Sequence, residues 1–139
     1  MIDSSRLAAV AWLVGGAAWL VKLTLILANG GSNTDEGIVG VAFFVGVLAL
    51  AVAGAASGYT LLRRWGIWAA AVGAPIGAAA TLVGISAIDS VLQPIVPASG
   101  WYDEEVGILA AAVIAILLGV ALLARRSKGA ASPAAATSQ

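Results

Sequence analysis

A chain of 139 residues in which 61% are hydrophobic and 10% are charged holds more apolar surface than a soluble domain of that size can cover. Its net charge is zero, so bulk charge draws it neither to nucleic acid nor to an acidic substrate. Cysteine and histidine are both absent, which excludes disulfide exchange, thiolate nucleophiles, histidine-ligated haem and the usual zinc sites; no cofactor is expected.

Four apolar stretches follow one another along the chain, at residues 7–28, 37–62, 66–92 and 106–124. Each is about 19–27 residues long, enough to cross a hydrocarbon core of about 30 Å at a rise of 1.5 Å per residue. The first follows Arg6 directly, is longer than the core of a signal peptide and ends without a small-x-small cleavage pattern, so it is expected to stay in the protein as a first span. Backbone groups in lipid must be satisfied within their own segment, and none of the stretches alternates polar and apolar residues as barrel strands do. The expected fold is therefore an all-α membrane protein, a four-transmembrane-helix bundle of two helical hairpins over residues 1–126, followed by a disordered cytoplasmic tail at 127–139 that has no apolar pattern to bury.

The connections sort by charge. Arg6, Arg63, Arg64, Arg125, Arg126 and Lys128 flank one set of span ends, and Asp35, Glu36, Asp103, Glu104 and Glu105 flank the other. Positive residues favour the cytoplasmic side, so the expectation is N-in and C-in, with acidic loops outside. Trp65 and Trp68 stand beside the arginines, and Trp101 and Tyr102 beside the acids, at the level amphipathic rings prefer. The loop at 29–34 reads as a flexible turn, and the one at 93–102, with two prolines, as a segment lying along the membrane surface. The Ala, Gly and Val bias suits a bacterial plasma (inner) membrane protein.

Small residues mark where helices can approach closely, because lipid itself gives no hydrophobic drive for helix association. Along the first span Ala8, Ala11, Gly15, Ala18 and Lys22 share one face; the second carries Gly54 and Gly58, the third Gly73 and Gly77, and the fourth Gly107, Ala111, Ala115 and Gly119. These seams can close within one chain or against another. Pro75 is expected to kink the third span.

Ionisable residues inside a span are costly and are site candidates by default. Lys22 stands about six residues, or ~9 Å, below the acidic end of the first span, and Asp89 about four residues, or ~6 Å, below that of the third. Their matched depths make Lys22–Asp89 the candidate intramembrane polar pair, with Thr24, Ser86 and Ser90 nearby. Two other readings remain open: Lys22 snorkels to the headgroups while Asp89 sits at the interface, or the two form a substrate or proton site. The outer acids read as solvated helix ends that complement the helix dipoles, or as a cation-attracting mouth. Trp12 and Trp19 fall on one face of the first span, suited to packing or to stacking on a ligand ring.

Small multidrug-resistance transporters use a glutamate embedded in the first helix, where this chain has Lys22; vitamin-K-epoxide-reductase-like enzymes and claudins use cysteines, which it lacks. The residues then favour a non-catalytic integral membrane protein, an accessory or structural subunit whose partners are membrane lipid and either other membrane-protein subunits or further copies of itself, with no nucleic acid. The alternative is a small oligomeric transporter or channel using Lys22 and Asp89, followed by a membrane enzyme acting on lipid or quinone through its carboxylates.

Overall fold

A computed structural model describes residues 3–31, 36–96 and 101–131 of the chain. These residues form four α-helices: α1 (Ser4–Ala28), α2 (Glu36–Leu62), α3 (Ile67–Leu92) and α4 (Trp101–Ala131). A single 3-10 turn, Arg63–Trp65, links α2 to α3. Four helical stretches are long and apolar enough to cross a membrane, the second of them running on through the 3-10 turn: Ser4–Ala28, Gly37–Trp65, Ile67–Leu92 and Glu105–Arg125.

Helix boundaries follow local chemistry. At the start of α1, the Asp3 carboxylate accepts the Ser5 backbone N–H at 3.0 Å and the Ser5 hydroxyl at 2.7 Å, which extends the helix three residues upstream of the apolar stretch. Its far end unwinds where Gly30 and Gly31 take positive φ angles, with the Gly31 N–H bonded to the Ile26 carbonyl at 2.9 Å. Gly66, at φ 114°, turns the chain from α2 into α3. Pro75 lies exposed inside α3, which continues through it as one helix.

Two boundaries depart from expectation. The apolar span of the fourth helix, Glu105–Arg125, agrees with the expected 106–124, but the helix itself begins at Trp101, so positions 103–105 belong to its first turns. It also runs to Ala131, past residue 127 where the tail is expected to begin, through Arg125, Arg126 and Lys128, residue types that continue a helix readily. The rest of that tail, the loop residues 32–35 and the loop residues 97–100 lie outside the described residues.

Helix α1 is the hub. It packs along α2 on one side and α4 on the other, while α3 is held mainly by α2 and meets α4 only lightly. The contacts run antiparallel: Trp12 reaches Ser57 and Trp19 reaches Phe43 on α2, while Gly16 lies against Ala112 and Lys22 against Glu105 on α4. The core centres on Trp19, Leu50, Ala111, Ala112 and Ala115, with Phe43, Val47, Ile85 and Ile108 packed around them. Its alanines leave little side chain between backbones, so dispersion contacts between closely approaching helices hold the bundle.

Candidate functional site

The seam residues meet within the chain. Gly58 of α2 faces Gly73 of α3, and Gly54 faces Gly77, with the carbonyl of each glycine lying where its partner's side chain would begin. Any β-carbon at these four positions would run into backbone, which cannot move aside as a flexible side chain can. Gly15 receives Leu50, and Gly119 receives Leu13. Ala111 and Ala115 are buried in the core, and Ala18 is half-buried. Gly16, which the sequence pattern did not single out, receives Ile116 and the Ala112 carbonyl.

Lys22 is 7% exposed and therefore does not extend to bulk water. Its ammonium lies 2.6 Å from both carboxylate oxygens of Glu105, itself 9% exposed. The ammonium also stands 5.3 Å from the centre of the Phe43 ring, within cation–π range. Phe43 in turn stacks on Trp19, with ring centres 6.1 Å apart and planes 7° from parallel, and the Trp19 indole N–H donates to the Phe43 carbonyl at 3.2 Å. Charge, aromatic face and backbone thus tie α1, α2 and α4 together at the acidic end of the bundle.

The expected Lys22–Asp89 pair gives way to Lys22–Glu105. The reason is the order of helices around the bundle: α4 lies along α1, whereas α3 lies beside α2 and touches α1 at most in passing. Similar depth does not bring Asp89 within reach. Glu105 belongs to a buried row with Ala112, Ala115 and Gly119, spaced as one face of α4, and that register is the signal that separates it from the two acids before it.

Asp89 instead stands within one turn of the end of α3, where that helix approaches α4. Gly107 permits the approach: a β-carbon there would come within 2.8 Å of the Asp89 backbone and 2.6 Å of its Cβ. Among the described residues nothing forms a hydrogen bond or ion pair with the Asp89 carboxylate, which is half-buried on the wall of a cleft of about 310 Å³. Trp19, Phe43, Val47, Ile85 and Ile108 supply the apolar lining, and Ser86 stands one turn from the carboxylate. A second cleft of about 170 Å³ beside Trp12, Leu50 and Ile114 continues the gap between α3 and α4 toward the arginine end.

Several other polar groups of the helices are hydrogen-bonded within the protein. Thr24, Thr81, Ser86 and Ser90 each donate to the carbonyl four residues earlier, and Trp12 donates to the Ser57 hydroxyl at 3.2 Å. Groups of three or more metal-binding side chains are absent among the described residues. Side chains at Glu36, Trp101, Tyr102, Asp103, Glu104, Arg126 and Lys128 lie outside the described set, as does Asp35, so the reading of the outer acids as a mouth falls there. At the other end the Arg64 guanidinium stacks over Trp65, 4.7 Å from its ring centre, and Trp68 projects freely.

No family model matches this chain, and neither do the curated proteins or the solved structures compared with it.

Proposed function

We propose that this is a non-catalytic, multi-pass membrane protein that works by associating laterally with another membrane protein through α3. The bilayer orientation follows from charge: the end bearing Arg6, Arg63, Arg64 and Arg125 faces the cytoplasm, both termini included, and the acidic end faces out of the plasma membrane of a bacterial cell.

One contrast between helices carries the reading. The exposed surfaces of α2 and α4 are rows of large side chains, such as Phe44, Leu48 and Val52 on α2 and Val113, Leu117 and Val120 on α4, which suit lipid tails. Helix α3 has only Ala70 and Gly73 buried; it too exposes large side chains such as Val72, Ile76 and Val83, but beside them it exposes a set of small or hydroxylated residues that α2 and α4 largely lack: Ala71, Ala79, Ala80, Ser86, Ala87 and Ser90. Small residues on a lipid-exposed face forfeit contact with lipid and instead admit another helix backbone closely.

The transporter reading has less support, since Lys22 is enclosed by Glu105 and Phe43 rather than open to a wet path. The native chain has no cysteine, so single cysteines report cleanly on neighbours. Cysteines placed at Ala79 or Ala87 are expected to cross-link in native membranes to a discrete partner, identified by mass spectrometry, while cysteines at Leu48 or Leu117 are not. Equal cross-linking from all four positions, or none from α3, rejects the proposal.

A further inference from the structure

The cleft between α3 and α4 has a chemistry that lateral packing does not use. Its walls are aromatic and aliphatic, from Trp19, Phe43, Val47, Ile85 and Ile108, and a single carboxylate, Asp89, stands at its acidic-end rim without a partner among the described residues. Exposed Leu82 and Ser86 form part of the lining, so the space opens sideways rather than being sealed in the core.

The charge count around this site is uneven. Helix α1 brings Lys22 and α4 brings Glu105, which neutralise one another at 2.6 Å. Helix α2 has no charged residue between Gly37 and Leu62, and α3 adds Asp89. Among the described side chains at this end, Lys22 and Glu105 pair with one another outside the lining of the cleft, and Asp89 is the charged group that lines it. A carboxylate at this depth is costly unless a cation meets it. Gly107 lets α4 come against Asp89 from the other side, so the carboxylate is enclosed by backbone there and open toward the cleft.

We infer that the cleft binds a lipophilic amine: a molecule whose protonated amino group sits on the Asp89 carboxylate while its apolar body lies along Trp19, Val47 and Ile85. The Ser86 hydroxyl donates to the Leu82 carbonyl at 3.3 Å and keeps an acceptor lone pair for a second N–H of the amine. A volume of about 310 Å³ takes a head and part of one chain, the remainder following the gap toward Trp12 and Ile114. The charge of the cleft selects against acids, and its single carboxylate discriminates an ammonium from an alcohol of the same length.

The test uses the full chain in phosphatidylcholine nanodiscs and three photoreactive probes with the same diazirine-bearing alkyl chain, ending in a primary amine, a hydroxyl or a carboxylate. The amine is expected to label the residues that line the cleft, Trp19, Val47, Ile85 and Ile108 among them, saturably, and to be displaced by unlabelled dodecylamine, with the alcohol and the acid about tenfold weaker or more. Asp89→Asn should remove that preference while leaving a folded, monodisperse protein. The comparison among probes needs no variant, so it stands even where Asp89→Asn folds poorly. Equal labelling by amine and alcohol, labelling no stronger at the cleft lining than at outward-facing positions such as Leu48 and Leu117, or an amine preference unchanged in Asp89→Asn overturns the inference. Because the readout is labelling in isolated nanodiscs, it is independent of whether α3 has a protein partner.

Discussion

The Lys22 ammonium bridges both carboxylate oxygens of Glu105 at 2.6 Å, joining the central helix to the last one at a point almost closed to solvent. Two opposite charges taken out of water together tolerate joint replacement far better than the loss of one. Lys22→Met alone, or Glu105→Gln alone, is expected to cost about 3–5 kcal/mol, read as a fall in Tm in detergent or nanodiscs. Lys22→Met with Glu105→Leu should recover much of that loss. Additive losses in the double variant would show that the two side chains are not coupled.

Asp89 supplies the converse expectation. Since its carboxylate is not bonded to Lys22, Asp89→Asn combined with Lys22→Met should give the sum of the single effects within about 0.5 kcal/mol. A strong positive coupling in the same thermal measurement would move Asp89 into the ion pair.

The α2–α3 crossing depends on glycine at four positions, and substitution there should be costly while nearby glycines are tolerant. Gly58→Ala or Gly73→Ala is expected to destabilise by about 1–3 kcal/mol through overpacking against backbone. Gly84→Ala, where a β-carbon meets nothing within 4 Å, should be near neutral. Thermal unfolding of the three variants side by side decides the matter, and equal tolerance at all three sites rejects the crossing.

Trp12 and Ser57 offer a smaller test of the α1–α2 contact. Their 3.2 Å hydrogen bond should give a coupling of about 0.5–1.5 kcal/mol in a cycle of Trp12→Phe, Ser57→Ala and the double variant. No coupling beyond experimental error would mean that the two helices meet in a different register.

Orientation is open to the same cysteine chemistry as the partner search. In intact cells a membrane-impermeant thiol reagent should modify a cysteine at Asn29 and spare one at Ser127. The reverse pattern would place the arginine end outside and defeat the charge argument.

Unbroken apolar length made the four helices legible in the sequence, and the small-residue steps marked the faces that pack, since both are one-dimensional properties of a helix. The order of helices around the bundle is not such a property. Depth along a helix can be counted, as for Lys22 and Asp89, but which neighbour stands beside α1 depends on all four seams at once. Glu105 was obscured for a further reason: it follows Asp103 and Glu104, and a block of three acids reads as a solvated end until the helix is seen to begin at Trp101 and its register carries Glu105 inward. The cleft beside Asp89 was equally illegible, because it arises where α3 and α4 fail to pack rather than where any pattern repeats.

The pair that closes the bundle lies 83 residues apart in sequence, and this sets a timetable for synthesis. At about 5–20 residues per second, Glu105 emerges from the ribosome roughly 4–17 s after Lys22. In the proposed membrane setting, a nascent α1 holds during that interval an ammonium without Glu105 beside it, and its stem must carry the head to the interface until α4 arrives. Synthesis of α4 and closure of the fold are thereby chemically linked: a copy that lacks α4 is marked by an unneutralised lysine, and one that has it is not.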